Sequence, residues 1–131
     1  MHQGCWGEQL VRVHADARRR FVADLFPTPG DVNVITIFPG ITNAWHRHQL
    51  QDDYFYVIKG SVKLAIVDPE GATRVWLLDE AAAEVVRVPR NHWHGYENVG
   101  PERAIMLVYL TQKYNVNDEE RRALSEMPWP A

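Results

Sequence analysis

Short runs of alternating apolar and polar residues recur along the chain and are separated by glycine, proline and aspartate. The clearest run, V-N-V-I-T-I-F at residues 32–38, is rich in β-branched residues and ends at Pro39-Gly40. Alternation with a period of two is typical of strands with one buried face. Similar runs lie at residues 10–14, 21–26, 41–48, 54–59, 62–67, 73–78, 85–88, 94–98 and 104–111. About ten short strands separated by turns predict an all-β sandwich or barrel.

The C-terminal segment has the pattern of a helix. Asn117 is a favourable N-cap, and three acidic residues follow it, as the positive end of a helix dipole prefers. Pro128 cannot continue a helix. The sequence therefore predicts one short helix over residues 118–126, and it predicts an irregular lead-in over residues 1–9.

The composition is that of an ordinary globular protein and argues against several classes. Of the 131 residues, 46% are hydrophobic and 24% are charged, and the formal net charge is −3. A nucleic-acid binder would need a clustered basic face. The single cysteine, Cys5, permits no intrachain disulfide, and no leader or run of about 18 apolar residues is visible. We expect one cytoplasmic domain over residues 1–131 that binds neither membrane nor nucleic acid.

Two histidines two residues apart, His46 and His48, begin the densest group of candidate ligands. Residues i and i+2 of a strand face the same side of a sheet, so both imidazoles can be aimed at one point. A carboxylate, Asp53, follows them, and a third histidine, His94, belongs to a later strand. Imidazole together with carboxylate suits zinc, iron, nickel or manganese.

The segment around the first two histidines resembles the first sequence motif of the cupin superfamily. That motif is glycine, five residues, His-x-His, three or four residues, glutamate, six residues and glycine. The chain matches it from Gly40 to Gly60, with Asp53 in place of glutamate. The correct spacing across the whole segment makes the resemblance specific.

A second segment resembles the second cupin motif and follows the first in the expected order. Pro89, His94 and Asn98 occupy family positions, whereas Ala83 and Asn91 stand where glycine is usual. The two motifs together imply a jelly-roll barrel with a pocket at one mouth.

The resemblance also implies one divalent metal ion in that pocket. The expected ligands are His46, His48, Asp53 and His94. Asp52 is the competitor for Asp53, because the family motif allows a gap of either three or four residues. The identity of the ion, whether zinc, iron, nickel or manganese, stays open.

Among the cupins, the chain is most similar to the dTDP-4-dehydrorhamnose 3,5-epimerases and the related sugar-nucleotide ketoisomerases. The similarity lies in residues 19–26, 40–46, 88–96, 106–109 and 113–119. It implies that His46 is the catalytic base and Tyr109 the catalytic acid. The substrate-binding candidates are Arg19 and Arg20 for a pyrophosphate, with Asp24, Tyr56, Trp93 and Tyr114 beside them.

Two departures from the epimerases coincide with the candidate metal ligands. The epimerases have glutamine at the position of His48 and lysine at that of Asp53, and they need no metal. These two changes would convert an epimerase pocket into a site of three histidines and one carboxylate. His46 cannot be a ligand and a free base at once, so Tyr56 or Glu97 would be the base in a four-ligand site.

Three functions therefore stay open from the sequence. The first is an isomerase or epimerase acting beside the carbonyl of a sugar, with a nucleotide-linked 4-keto-6-deoxy sugar as the expected substrate. The second is a metal-dependent oxygenase, and the third is a non-catalytic cupin that binds a sugar. The resemblance also implies a homodimer that pairs near an exposed N-terminal edge strand.

Overall fold

The computed structural model describes residues 7–9, 12–17, 20–23, 26, 30–113 and 115–131. The strands are β1 (Gly7–Gln9), β2 (Arg12–Ala15), β3 (Arg20–Ala23), β4 (Asp31–Ile37), β5 (Thr42–Arg47), β6 (Asp53–Lys59), β7 (Ser61–Val67), β8 (Thr73–Asp79), β9 (Val85–Val88), β10 (Trp93–Asn98), β11 (Ala104–Leu110) and β12 (Glu120–Arg121). Apart from one 3-10 turn at Val116–Asp118, these residues contain no helix, which confirms the predicted all-β class. In the described ranges we find no helix long and apolar enough to cross a membrane.

Two antiparallel five-stranded sheets face each other. The first has the order β1-β9-β6-β11-β4, the second has the order β12-β5-β10-β7-β8, and β2 pairs with β3 in a separate hairpin. The inward side chains of both sheets form one apolar core that includes Phe55, Leu64, Ile66, Leu78 and Met106. Burying such side chains between two sheets is what the alternating sequence pattern predicts.

The predicted strands from β4 to β11 agree with the structure to within one residue at every end. The irregular lead-in predicted over residues 1–9 is wrong at β1, because its backbone pairs with Val85–Arg87 of β9. This short segment carries no alternating pattern, and its strand conformation comes from the neighbouring strand's free hydrogen-bonding edge.

The helix predicted over residues 118–126 does not form. Asn115 caps the 3-10 turn, and the chain then pairs as β12 with the edge of β5. The Asp118 carboxylate does not begin a helix but accepts hydrogen bonds from the backbone N–H groups of Gln49 and Leu50, at 2.9 and 3.0 Å. These tertiary contacts outweigh the local capping preference.

The last residues run across the outer surface of the second sheet. Trp45 Nε1 donates to the carbonyl of Met127 at 2.9 Å, and Trp129 Nε1 donates to Glu97 at 2.7 Å. The tail lies so close to β10 that a Cβ atom at Gly95 would come within 2.9 Å of the Trp129 ring. We call residues 115–131 the C-terminal strap, because they connect the pocket rim to this outer surface.

Candidate functional site

The site lies where β5 and β10 pair in the second sheet, and a bulge in β5 decides which side chains reach it. His94 pairs with His46 and Tyr96 pairs with Asn43, so β5 advances three residues while β10 advances two. The extra residue, Trp45, packs on the outer surface. Because a bulge shifts the alternation by one residue, Asn43 and His46 both face the interior.

A cavity of about 210 Å³ opens at this end of the barrel. Its lining combines polar groups from β4, β5, β6, β10 and the C-terminal strap with apolar side chains from β4, β6 and β11. The lining residues are Asn33, Ile35, Asn43, His46, His48, Gln51, Asp53, Phe55, His94, Tyr96, Val108, Leu110, Glu119 and Arg121. A concave site with a few convergent polar groups is typical of small-molecule pockets.

Three of the four predicted metal ligands converge in this pocket. Their candidate ligand atoms all lie within 4.8 Å of one another. His48 Nε2 is 3.3 Å and His94 Nε2 is 3.6 Å from the same oxygen, Asp53 Oδ2. The other oxygen of Asp53 accepts a hydrogen bond from Gln51 at 2.7 Å. Two imidazoles and one carboxylate form a set that could hold a divalent ion.

Backbone carbonyls orient both imidazoles of this cluster. His48 Nδ1 lies 2.9 Å from the carbonyl of Asp118, and His94 Nδ1 lies 3.2 Å from the carbonyl of His92. A carbonyl can only accept, so each Nδ1 carries the proton of its bond and each Nε2 is directed at Asp53. Ligand histidines of metalloproteins are held in the same way. The residues present therefore fit a divalent metal ion.

Burial and the shared carboxylate act oppositely on the two rings. Burial disfavours the charged form of His48, but the hydrogen bond and charge of Asp53 outweigh it and raise the pKa of His48 to about 9. At His94, burial dominates over the attraction of Asp53 and lowers the pKa to about 4. The charged form of the ring is thus favoured at His48 and the neutral form at His94.

The fourth predicted ligand, His46, lies in the pocket but outside this cluster. Its Nε2 is 2.8 Å from Asn43 Oδ1, and its Nδ1 is 3.9 Å from Glu119 Oε2. Burial lowers the pKa of His46 below its ordinary value, so the ring is neutral at neutral pH. Asp52, the competitor of Asp53, instead pairs with Arg87 at 3.0 Å.

Three of the predicted catalytic and substrate-binding residues lie on outer surfaces of the sheets. Tyr109 and Tyr56 belong to a separate apolar cluster outside the barrel, and the Tyr109 ring stacks on Phe26 at 4.8 Å. Trp93 lies on the outer side of the second sheet, where the guanidinium of Arg47 is 4.6 Å from its ring. The structure does not bring these three side chains to the pocket.

The other substrate-binding candidates cannot be related to the pocket. Arg19, Asp24 and Tyr114 lie outside the described residues, and for Arg20 only the backbone, in β3, is described. Their roles stay predictions.

Sequence reasoning missed several residues that line the pocket. Tyr96 stands two residues after His94 in the same strand, so the period of two could have found it. Asn43 could not be found that way, because the bulge reverses the alternation before His46. Glu119 and Arg121 were missed because the sequence predicted a helix there, and that prediction did not place their side chains in the barrel.

The departure at Asn91 from the second motif has a simple conformational explanation. Its φ angle is +64°, a left-handed conformation that suits glycine and that asparagine adopts more readily than most residues. The backbone N–H of Asn91 donates to the carbonyl of His48 at 2.8 Å. Asn91 can therefore take the place of the usual glycine in this turn, and its hydrogen bond links the two motifs beside the candidate ligands.

Comparison with known proteins agrees with this architecture. The sequence model of the cupin domain matches residues 33–110, which is more than half of the chain. The chain belongs to the cupin family. The match spans β4 to β11, so the C-terminal strap, with Asp118, Glu119 and Arg121, lies beyond it.

One relative of this cupin is named as a probable epimerase of glycan biosynthesis. The probable low-salt glycan biosynthesis epimerase Agl13 of Haloferax volcanii is 33% identical over 93 residues, which are 64% of this chain and 60% of the relative. This cupin thus spans less than two thirds of that relative's length.

Solved structures share the fold at lower identity. A dTDP sugar isomerase from Desulfovibrio desulfuricans G20 superposes with a TM-score of 0.84 at 18% identity, covering 95% of this cupin and 89% of that chain. ChmJ, a 3'-monoepimerase from Streptomyces bikiniensis solved with dTDP-quinovose, has a TM-score of 0.80 at 17% identity, with coverages of 94% and 74%.

Proposed function

We propose that this cupin is an epimerase or isomerase that moves a proton beside the carbonyl of a nucleotide-linked 4-keto-6-deoxy sugar. The observation that carries the proposal is one pocket lined both by a His/Asp/His cluster and by a separate histidine, His46. The relative named as an epimerase supports the same reaction class.

The cluster of His48, Asp53 and His94 would hold one divalent metal ion. Bound there, the ion would supply a Lewis acid for the carbonyl oxygen of the substrate. The resemblance to the epimerase family implies a lysine at the position where Asp53 stands in this chain. The charge of the ion would thus replace the charge of the absent lysine.

His46 would be the base that removes the proton beside the carbonyl. It lines the pocket and is neutral at neutral pH, so it can accept a proton. The three-membered cluster leaves it outside the set of ligands. If those three residues are the ligands, His46 can act as the base without also holding the ion, and neither Tyr56 nor Glu97 is needed for that role.

The decisive experiment incubates the metal-loaded protein with a nucleotide-linked 4-keto-6-deoxy sugar in D₂O. We expect deuterium to enter at the carbon beside the carbonyl, detected by NMR and mass spectrometry. A chelator should stop the exchange, and added metal should restore it. His46→Asn should abolish the exchange and leave the metal content unchanged.

Two outcomes would contradict parts of this proposal separately. Exchange that survives complete metal removal would exclude a role for the ion. No exchange and no product from the metal-loaded protein would exclude the epimerase or isomerase altogether.

An oxygenase is the second candidate, and it is favoured by one specific observation. Two histidines and one carboxylate with open positions are also the ligand set of non-haem iron oxygenases. Oxygen consumption by the iron-loaded protein in the presence of a sugar substrate, without deuterium exchange, would favour this candidate. The same assay without oxygen consumption would leave the epimerase proposal in place.

We also propose that the protein forms a homodimer. In support, β1 lies at one edge of the first sheet, and the outward residues Val32 and Val34 of the opposite edge strand are exposed. Sedimentation at tens of micromolar, on the affinity scale of stable complexes, should give a dimer, and a monomer would contradict it. The expectations of one domain and of a cytoplasmic location stay predictions.

A further inference from the structure

Among the described residues, one tyrosine lines the pocket, and it is not the tyrosine that family position implies. Tyr96 lines the cavity, whereas Tyr109 lies on the outer side of the first sheet against Phe26. In β11, the neighbours of Tyr109, Val108 and Leu110, line the cavity instead. Alternation along β11 therefore keeps the Tyr109 hydroxyl away from a substrate in this pocket.

Tyr96 is held with its ring in the core and its hydroxyl in the polar part of the pocket. The ring packs at 6.3 Å from that of Phe55 and is only 8% exposed. Asn43 Nδ2 donates to the Tyr96 hydroxyl oxygen at 3.1 Å. That bond uses a lone pair of the hydroxyl oxygen and leaves its proton available for a different acceptor.

The amide that holds Tyr96 is itself oriented by His46. Asn43 Oδ1 accepts from His46 Nε2 at 2.8 Å, so its Nδ2 group is turned towards Tyr96. The bulge in β5 brings Asn43 into this position, opposite Tyr96 in the strand register. The proposed base and the pocket tyrosine are thus linked through one side chain.

From this geometry we propose that Tyr96 is a catalytic residue whose hydroxyl donates a hydrogen bond to the carbonyl oxygen of the bound sugar. Asn43 is then the positioning residue that aims the hydroxyl. The inference rests on the proposed function, because it assigns a partner to the oxygen on which charge develops in that reaction.

A hydrogen-bond donor at this oxygen would act beside the bound ion, and the proton transfer consumes no other reactant. When the base removes the proton beside the carbonyl, the electron pair of the C–H bond forms a carbon–carbon double bond. The carbonyl π pair moves onto oxygen, and the hydrogen bond from Tyr96 stabilises the resulting enolate. Return of a proton to that carbon restores the carbonyl, so no oxidant or reductant is consumed. A preorganised donor at such an oxygen typically contributes about 10²–10³-fold to kcat.

The test compares Tyr96→Phe with Tyr54→Phe in the deuterium-exchange assay. Tyr54 is a buried tyrosine on the outer side of the first sheet and serves as the matched control. We expect Tyr96→Phe to lower kcat by about 10²-fold or more, while KM changes by less than about threefold. Tyr54→Phe should leave both constants unchanged. Metal content and melting temperature of Tyr96→Phe should match those of the unchanged protein.

A second readout does not depend on turnover. The infrared carbonyl stretch of a bound 4-keto sugar nucleotide should lie at lower frequency in the unchanged protein than in Tyr96→Phe, because only the former donates a hydrogen bond. Asn43→Ala should raise the frequency of the carbonyl stretch by part of that difference. An active protein whose kcat and carbonyl stretch are both insensitive to Tyr96→Phe would overturn this inference, whereas an inactive unchanged protein would overturn the proposed function.

Discussion

The two ends of the barrel are equally buried, but polar side chains lie at the mouth and apolar side chains fill the far end. Along β6 the inward side chains change from Asp53 at the mouth through Phe55 to Val57, and all three are less than 5% exposed. In the first sheet, Asp53 pairs with Leu110 and Val57 pairs with Met106, so the same two strands border both the site and the apolar core. Burial therefore does not distinguish the site from the core, but the identity of the buried atoms does.

The difference matters because buried polar atoms need partners whereas buried methyl groups do not. In the described part of the chain, every buried side-chain nitrogen and oxygen has a hydrogen-bond partner. At the mouth, several of those partners are supplied by the C-terminal strap and the turn at Asn91. We infer that the far end provides stability and the mouth provides function, and the following variants test that division.

The largest effect on stability should come from the far end. Leu78 is 2% exposed in the core, whereas its neighbour Leu77, on the other side of β8, is 71% exposed. Leu78→Ala should lower the free energy of unfolding by about 2–5 kcal/mol, because it removes buried methyl groups and leaves a cavity. The matched variant Leu77→Ala should change it by less than about 0.5 kcal/mol.

Denaturant unfolding measures both values, and metal affinity measured beside them should not change in either variant. Loss of metal affinity in Leu78→Ala at temperatures where it is folded would mean that the two ends are coupled.

At the mouth, the largest effect should fall on metal binding rather than stability. Asp53→Asn removes the carboxylate that both cluster histidines share. Changing residues that merely support a ligand typically costs about 10–100-fold in metal affinity, so loss of a ligand should cost more than about 100-fold. Asp52→Asn is the matched control, because Asp52 pairs with Arg87 outside the cluster.

Competition with a chromophoric chelator measures both affinities. Equal loss in the two aspartate variants would mean that neither carboxylate alone is the ligand.

The comparison also explains which parts of the molecule the sequence could predict. At both ends, residues within an unbroken strand follow the period of two, so β6 and β10 could be located from the pattern alone. The candidate ligands Asp53 and His94 in these strands were identified by their spacing in the two cupin motifs. The cupin motif spacing then joined them to His48. These predictions depended only on local periodicity and on distances counted along one segment.

The remaining features of the site depend on non-local contacts. The β5 bulge is visible only once β10 is paired beside it, and it decides that Asn43 rather than Ala44 faces the pocket. Alternation along β11 likewise places Tyr109 outside the cavity, although its position in the family motif implies a catalytic role. The strap has a good helix-capping sequence, but contacts to Gln49 and Leu50 determine its conformation.

A smaller effect is expected where the strap supports the cluster. The Asp118 carboxylate accepts two backbone N–H groups, and its carbonyl accepts from His48. Asp118→Asn keeps only one acceptor oxygen, so the loop carrying His48 should loosen and metal affinity should fall about tenfold. Asp68→Asn controls for the change of residue type alone, because the two backbone N–H groups it binds, in the turn after β7 and away from the cluster, both donate to its one oxygen Oδ1.

Chelator competition distinguishes the two variants, and the unfolding midpoint serves as the second measurement. If Asp68→Asn lowers metal affinity as much as Asp118→Asn does, the effect is general destabilisation rather than loss of support for His48.

The smallest effect should come from the exposed side of the strap. The Glu120 carboxylate accepts hydrogen bonds from the guanidinium of Arg47 at 3.0 and 2.9 Å and from the side-chain amide of Gln49 at 2.6 Å. These hydrogen bonds lower the pKa of Glu120 to about 2. Its side chain is 43% exposed, so Glu120→Gln should cost less than about 1 kcal/mol, and salt should reduce that cost further.

The pH dependence has a defined sign, because the pKa is lower in the folded state than the ordinary value of 4.5. The contribution of Glu120 is therefore complete above pH 4.5 and is lost as the pH falls towards 2. The difference in unfolding free energy between Glu120→Gln and the unchanged protein should shrink over that range. Glu70→Gln, an exposed substitution of the same kind in the turn after β7, is the control measured beside it. A Glu120→Gln difference that stays constant down to pH 2 would mean that the charge of Glu120 contributes nothing to holding the strap on the mouth.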